Sequence, residues 1–302
     1  MTKLIIEGIP LSDVHNYNTS NHWVNNCKPV DYDSKSEETY THHWIDKFHT
    51  NYNKIIINDL YHISWLKEAN KLGKITGVFP SLFKEERDEL VHVLNECYKN
   101  IFDQEREYFI RVENVSLKSG CHGVGPYNNF KNVIESLVTC RQGHSPFDQE
   151  VSCINLYMIS WKESLRDEFR VFVYDGRITA ISQQNLYKKI YDDESDVYKI
   201  CSKLVEHYYS ELQSKIDWIK SKCFVYDVAL TDDVACGVDR CGSKLCLRTQ
   251  RDICGTRMYF IEPNPFGKEY TSGSGLFHWI EDEEILSPRK SNSNGIVIRY
   301  TV

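Results

Sequence analysis

The 302-residue sequence has no apolar run near the ~20 residues that a membrane-spanning helix needs. Its opening, MTKLIIEGIPLSDVHN, lacks the long apolar core of a secretory signal peptide. It also has no block of basic residues, and its formal net charge is −7. Because nucleic-acid binding depends on clustered lysine and arginine, we expect neither a nucleic-acid nor a membrane partner. Eleven cysteines without a secretory signal indicate reduced thiols and a cytoplasmic protein.

The glycine patterns of the P-loop and of the dinucleotide-binding fingerprint are absent as well. The segment SLKSGCHGVG, residues 116–125, carries Gly120, Gly123 and Gly125 at a different spacing, after a predicted strand that contains Arg111. Glycine amides approach phosphate oxygens closely, so this loop is a candidate phosphate site with Arg111 or Lys118 as its cation. The alternative is an ordinary surface turn with solvated charges.

Periodicity and turn residues predict a chain of mixed helices and strands, without internal repeats. Residues 11–53 are polar and weakly periodic, which is typical of loops and short helices. The predicted elements are a helix at 80–102, a strand at 108–112, a helix at 130–140, a strand at 153–161, a hairpin at 168–185, a helix at 193–220, and strands at 224–230 and 258–264. A helix flanked by hairpins favours the α+β class over a doubly wound sheet.

The stretch YFIEPNPFG places Glu262 and Asn264 two residues apart in a strand, so their side chains project to the same face. Proline does not continue a hydrogen-bond ladder, so we expect the strand to end there. If FVYDVAL pairs antiparallel with this strand, Asp227 joins the same face. Three oxygen ligands suit Mg²⁺, which keeps water or phosphate as further ligands. The alternative is a strand end with solvated polar side chains.

Two further stretches are candidates for nucleotide contacts. In EFRVFV, Glu168 and Arg170 share a strand face; they form either a weak surface ion pair or a site in which Arg170 reaches a terminal phosphate. In MISWKE, residues 158–163, an extended backbone offers hydrogen-bonding groups to an adenine edge, and Glu163 offers a carboxylate to the ribose. The alternative for MISWKE is a core strand.

The order of motifs SWKESLRDEFRVFVYDGRITAISQQNLY, FVYDVAL and YFIEPNPFGKEYTSGSGLFHW resembles the cell division cycle protein 123 family. The resemblance covers about residues 150–280, with a looser match at 108–140. The first ninety or so residues show no convincing match. One departure is Glu262, which stands where the family usually has aspartate.

The resemblance implies an ATP-grasp fold, in which two α+β subdomains clamp ATP and Mg²⁺. We expect a divergent N-terminal region at 1–95, a first subdomain at 96–158, and a second at 159–302 with an insert at 231–257. The family acts as an assembly chaperone for eukaryotic translation initiation factor 2 by binding its gamma subunit. An alternative from another class is an ATP-dependent carboxylate–amine or peptide ligase that works through an acyl phosphate.

Carried over residue by residue, the resemblance implies Asp227, Glu262 and Asn264 as magnesium ligands, and Ile159 to Trp161 as the adenine hinge. For a ligase, Arg170 and Lys118 would be the catalytic cations. The implied nucleotide-contacting residues are Arg111, Lys118, Gly120, Gly123, Met158, Ile159, Ser160, Trp161, Glu163, Glu168, Arg170 and Gln183. The resemblance also implies that Glu168, Arg170, Ser182 and Gln183 line the inner face of the second subdomain.

The insert contains four cysteines within nineteen residues, Cys236, Cys241, Cys246 and Cys254. Four thiolates can close a tetrahedral zinc site. The gaps between them are longer than the usual paired spacing, so an ordinary reduced hairpin extension is favoured. The histidines show no ligand spacing near these cysteines, and we expect them to be surface or core residues.

Overall fold

The structure, a computed structural model, describes residues 3–20, 22–23, 27–231, 257–270, 272–289 and 295–302. The chain divides into two compact units: unit 1 comprises residues 1–39 and 163–302, and unit 2 comprises residues 40–162. This is a different division from the predicted boundaries at 95/96 and 158/159, which stay predictions about subdomains. The four insert cysteines lie outside the described residues.

Both units combine helices with strands that follow one another in short runs, in agreement with the predicted α+β class. Within the described residues the strands are β1 (Leu4–Ile9), β2 (Tyr52–Ile57), β3 (Tyr108–Arg111), β4 (Ile154–Ser160), β5 (Leu165–Tyr174), β6 (Arg177–Gln183), β7 (Phe224–Thr231), β8 (Arg257–Pro265) and β9 (Ile296–Thr301). The α-helices are α1 (Tyr32–Glu37), α2 (Thr41–Phe48), α3 (Leu60–Thr76), α4 (Lys84–Cys97), α5 (Phe130–Thr139), α6 (Glu194–His207), α7 (Gln213–Lys215) and α8 (Glu283–Leu286). No helix in the described part combines the length and apolarity needed to cross a bilayer.

Unit 2 is a three-stranded antiparallel sheet, in the order β2-β4-β3, packed with α3, α4 and α5 around one apolar core. Helix α3 begins where the Asp59 carboxylate accepts hydrogen bonds from the Tyr61 and His62 amides, and it ends at Gly77 in the left-handed conformation. Helix α5 is capped in the same way by Asn129. The apolar spacing of both helices therefore becomes a buried face with defined ends.

Unit 1 is built on a six-stranded mixed sheet in the order β1-β9-β6-β5-β7-β8. Strand β9 pairs parallel with β1 and β6, and the remaining pairs are antiparallel. The single π-helical turn after α6 places Tyr208 against Tyr226 of β7, with ring centroids 6.0 Å apart. One face of the sheet is thereby packed against the α6 segment, and the opposite face carries the candidate site.

The structure corrects two predicted boundaries. Strand β8, predicted at 258–264, runs from Arg257 to Pro265, and so it continues past Pro263. Strand β8 is an edge strand and has no neighbouring strand on its outer side. Prolines, which lack an N–H, are tolerated in such strands because no hydrogen bond of the ladder is needed on that side. The helix predicted at 193–220 ends at Lys215, after the π-helical turn. Strands β1, β2 and β9 and helix α3 lie in segments for which the sequence pattern predicted no element.

Candidate functional site

A single row of polar side chains crosses the whole sheet of unit 1, one from each strand. Cross-strand partners share a sheet face, so the register alone places these six side chains side by side. In sheet order, this transverse row consists of Glu7, Arg299, Ser182, Arg170, Asp227 and Glu262. Asn264 pairs with Val225, two residues from Asp227, and therefore faces the same side.

An ion pair between Arg170 and Asp227 lies toward one end of the row. Arg170 donates from Nε to Oδ1 of Asp227 at 2.8 Å and from Nη2 to Oδ2 at 2.7 Å, which is the two-pronged geometry that arginine offers to carboxylates. Both side chains are nearly excluded from solvent, with exposed fractions of 11% for Arg170 and 2% for Asp227. The predicted phosphate-binding arginine thus holds the predicted metal-binding aspartate directly.

Two amide side chains complete the hydrogen bonding of Asp227. Gln184 donates to its Oδ1 at 3.1 Å, and Asn264 donates to its Oδ2 at 3.3 Å. An ionised carboxylate has about four lone-pair sites, and two donors reach each oxygen here. The Asp227 carboxylate is therefore fully satisfied within the protein. Gln184 was not among the residues predicted from the sequence.

More than one carboxylate acts on Arg170. Burial alone would lower the pKa of Arg170, but the charge and hydrogen bonds of Asp227, together with the charges of Glu262 and Glu168, raise this pKa above its ordinary value. Glu168 lies two residues before Arg170 on β5 and pairs with Ala229, which is two residues from Asp227 along β7. Three carboxylates thus surround one guanidinium at this end of the row.

The backbone of residues 273–276 lies across the middle of the row. Arg170 donates from Nη1 to the carbonyl of Gly273, and Ser182 Oγ accepts from the amide of Leu276 at 2.7 Å. Gly275 has φ +60°, and a Cβ there would collide with Oγ of Ser182. The SGSGLF stretch of the sequence therefore needs glycine at 275 because the chain passes directly over Ser182.

The far end of the row contains a second arginine pair. Arg299 donates from Nη1 and Nη2 to Asp282, at 2.6 Å and 3.0 Å, and from Nε to Glu7 at 2.8 Å. Its guanidinium lies over the rings of Phe277, at 4.5 Å, and Tyr17, at 5.5 Å. This cluster was not predicted from the sequence, because no element was predicted for β1 or β9.

Gln183 does not lie on the predicted inner face. It pairs with Phe169, whereas its neighbour Ser182 pairs with Arg170, so its side chain projects to the opposite side. Its amide nitrogen donates to Asn185, Lys188 and Thr301, which ties the end of β6 to β9. The inner-face position predicted for Gln183 is wrong, because side chains alternate along a strand. Glu163 is exposed ahead of β5.

In unit 2, the two predicted phosphate-side cations occupy different environments. Arg111 is 2% exposed at the end of β3, donates from Nε to Thr41 Oγ1 at 2.9 Å, and lies 4.8 Å from the centre of the Trp44 ring. Lys118 is exposed on a short 3-10 turn. Their roles toward phosphate stay predictions, as does that of Gly123, whose φ of +67° fits the predicted glycine turn.

The predicted adenine hinge lies at the end of β4. Met158 and Ile159 are buried, and β4 is the central strand of its sheet, so their backbone groups face β2 on one side and β3 on the other. Ser160 is exposed, and the amide of Trp161 donates to the carbonyl of Glu107 at 2.8 Å. An adenine contact at these residues stays a prediction.

Two α+β units, the larger with a mixed sheet and the smaller with an antiparallel one, agree with the predicted ATP-grasp fold class. The chain is similar to the structure of Cdc123 from Schizosaccharomyces pombe, with a TM-score of 0.53, 16% identity, and coverage of 88% of this chain and 96% of that one. A C-terminally truncated form of the same protein gives a TM-score of 0.55, 15% identity and the same coverage. No curated protein sequence matches the chain.

The D123 family model matches residues 134–301, which is more than half of the chain. The chain therefore belongs to the D123 family, the Cdc123 family that its motifs resemble. The match includes β4 to β9 and every residue of the transverse row except Glu7. Membership supports a protein of the initiation factor 2 assembly-chaperone kind, and the likeness to the yeast structures adds the fold.

Proposed function

We propose that this D123-family protein binds ATP with Mg²⁺ at the Asp227 end of the transverse row, and that it assists assembly of translation initiation factor 2 by binding the gamma subunit. The observation that carries the nucleotide proposal is the placement of Asp227, Glu262 and Asn264 on one face of two adjoining strands. Carboxylate and amide oxygens are the ligands that Mg²⁺ prefers, and the ion takes its remaining ligands from water and phosphate.

The chemistry of these side chains fits the ion. Glu262 pairs directly with Asp227 and adds a second carboxylate on the edge strand. The amide of Asn264 donates to Oδ2 of Asp227 at 3.3 Å, so a rotation of that amide exchanges its donor for its oxygen and frees one lone pair of Asp227. The cation would thus replace one hydrogen bond, while the two bonds from Arg170 remain.

Arg170 contributes a fixed positive charge beside these ligands. Its position is set by Asp227 and by the carbonyl of Gly273, so it needs no reordering to face an anion. Its Nε and Nη2 stay on Asp227, so Arg170 would act on phosphate oxygens mainly through its charge. In the ligase alternative, the same residue would neutralise the transferred phosphoryl group.

Calorimetric titration of ATP, with and without Mg²⁺, tests the nucleotide proposal. We expect Glu262→Gln to weaken Mg²⁺-dependent ATP binding by at least roughly 10-fold. Loss of a side chain that only supports a metal ligand lowers metal affinity ~10–100-fold, and loss of a ligand itself costs no less. Glu7→Gln is the matched control, because Glu7 belongs to the same row at the opposite sheet edge. Equal ATP affinity in the two variants, or no effect of Mg²⁺ on the original chain, would contradict the proposal.

Capture of the purified gamma subunit by the immobilised full chain tests the partner. We expect capture, with Glu262→Gln lowering any ATP-dependent part of it. Measurement of ADP formation in the same samples tests the alternative function, an ATP-dependent ligase. Turnover that requires an acceptor compound, without capture of the gamma subunit, would favour the ligase over the chaperone.

A further inference from the structure

Three metal-ligating side chains of unit 2 come together outside every residue set considered above. One donor atom each from Cys121, His122 and Glu135 lies within 4.8 Å of the other two. His122 Nε2 is 2.9 Å from Oε2 of Glu135. Cys121 and His122 are adjacent in the glycine-bearing loop, and Glu135 lies on α5, so the chain fold and not sequence spacing brings them together.

The loop is held against α5 by its backbone. The amide of Cys121 donates to Thr139 Oγ1 at 2.8 Å, and the amide of His122 donates to Ser136 Oγ at 3.2 Å. Gly120 lies so close to the backbone of Ser136 that a Cβ at this position would collide with it. The backbones of Cys121 and His122 are therefore fixed relative to the helix that carries Glu135.

Arg87 orients the carboxylate of Glu135. It donates from Nη1 to Oε1 at 2.6 Å, which leaves Oε2 as the oxygen directed toward His122. Arg87 is itself 8% exposed, is bonded through Nε and Nη2 to Asp88, and lies 5.1 Å from the centre of the Phe79 ring. Supporting partners of this kind fix the direction of a metal-binding carboxylate.

The donor set selects a class of ion. Thiolate and imidazole suit zinc, whereas Mg²⁺ and Ca²⁺ prefer oxygen ligands throughout. A tetrahedral zinc ion requires about 3.3 Å between nitrogen and oxygen ligands and about 3.6 Å from sulfur to either. The distance between His122 Nε2 and Glu135 Oε2, 2.9 Å, is slightly shorter than the first value, and the Cys121 sulfur lies within 4.8 Å of both other donor atoms. Cys121 and His122 are exposed, so small side-chain rotations suffice.

We propose that Cys121, His122 and Glu135 form a binding site for a zinc-class divalent ion, with water as the fourth ligand. On binding, the Cys121 thiol loses its proton to solvent, and His122 binds through neutral Nε2 while its contact with Glu135 is replaced by the two metal bonds. Three protein ligands and one open position is the arrangement of exchangeable zinc sites. The site is separate from the proposed Mg²⁺ ligands Asp227, Glu262 and Asn264 in residues, in unit and in ligand chemistry. Cys121 and His122 lie between Gly120 and Gly123 of the predicted phosphate loop.

The test is titration of the metal-stripped full chain with cobalt(II) chloride. Binding is monitored by the thiolate-to-cobalt charge-transfer absorption. The four insert cysteines are thiolate donors of their own, so the titration is made in a background where they are replaced. That background carries Cys236→Ser, Cys241→Ser, Cys246→Ser and Cys254→Ser. We expect one cobalt per chain with a charge-transfer band, and displacement of cobalt by zinc.

Single substitutions in this background identify the ligands. Cys121→Ser abolishes the charge-transfer band. His122→Ala and Glu135→Gln each weaken cobalt binding by more than roughly 10–100-fold, which is the effect of losing a side chain that only supports a metal ligand. Cys97→Ser is the matched control, because Cys97 is another exposed cysteine of unit 2. Between the unsubstituted chain and its Cys121→Ser variant, we expect a difference of one ion per chain.

Three results overturn the proposal. They are no cobalt binding in the background chain, an unchanged band in Cys121→Ser, and unchanged affinity in both His122→Ala and Glu135→Gln. Circular dichroism of each variant confirms that the chain is folded, which is expected because Cys121 and His122 are exposed.

Discussion

The two ends of the transverse row each contain an arginine held by an aspartate, yet their surroundings differ. At one end, Arg299 pairs with Asp282 and Glu7, and the faces of two aromatic rings cover its guanidinium. At the other end, Arg170 pairs with Asp227, and the further side chains around it are carboxylates and amides. The same pairing therefore occurs once among aromatic groups and once among oxygen-bearing ones.

This difference separates a structural clamp from a candidate ligand site. Burial alone would lower the pKa of Arg299, and the carboxylates of Asp282 and Glu7 raise it. Burial would likewise lower the pKa of Arg170, but there three carboxylates raise it, those of Asp227, Glu262 and Glu168. Aromatic faces add attraction for the Arg299 guanidinium but offer nothing to a metal ion. A concentration of carboxylate and amide oxygens favours a divalent cation.

The largest expected effect comes from removal of the Asp227 carboxylate. Asp227→Ala leaves Arg170 buried without its partner, so we expect a loss of roughly 3–5 kcal/mol in the free energy of unfolding. Asp282→Ala removes hydrogen bonds to Arg299 but leaves Glu7, so we expect a smaller loss of about 1.5–3 kcal/mol. Urea unfolding followed by circular dichroism measures both.

A second substitution checks the cause of that loss. Arg170→Met in the Asp227→Ala background removes the unpaired charge, and we expect it to recover part of the lost stability, because a buried ion pair is replaceable by apolar groups of similar volume. If the double variant is less stable than Asp227→Ala alone, Arg170 stabilises the sheet through other contacts, and the comparison of the two arginines fails.

The next effect concerns the segment that covers the row. Gly275→Ala combines φ +60° with a collision at Ser182 Oγ, so we expect a loss of roughly 2–3 kcal/mol from strain and displaced packing. Gly123→Ala is the matched control: it has φ +67°, but its added Cβ meets no atom within 4 Å. We expect about 1 kcal/mol for this control, from backbone strain alone. Thermal unfolding of both variants compares them, and equal losses would mean that the contact with Ser182 is unimportant.

The sequence predicted the centre of this sheet well because local signals specify it. The alternation in FVYDVAL and EFRVFV defines two buried strands, and the prediction that Asp227, Glu262 and Asn264 share a face is confirmed by the register. The register shifts at a bulge between Asp227 and Val228. Asp227, Glu262 and Asn264 all lie on the same side of that bulge, in regular register, and the prediction held for this reason. Pattern alone does not locate such a bulge.

What the sequence could not reveal depends on long-range pairing. Strand β9 enters the sheet between β1 and β6, which brings Arg299 beside residues almost three hundred positions away. No local period indicates that neighbourhood. Gln184 was missed for a similar reason, since it lies just beyond the end of β6 and reaches Asp227 across β5. The triad of Cys121, His122 and Glu135 likewise requires the loop to fold back on α5.

The smallest expected effect lies at the rim of the Arg299 cluster. Glu7 is 40% exposed, and Arg299 keeps both bonds to Asp282 when Glu7→Gln removes a charge. An exposed ion pair contributes about 0–1 kcal/mol and is screened by salt, so we expect a small loss that shrinks further in 1 M sodium chloride. Urea unfolding at low and high salt measures it. A loss above 2 kcal/mol that persists in salt would show that Glu7 is an integral part of the clamp, and Glu7→Gln would then no longer serve as the neutral control for Glu262→Gln.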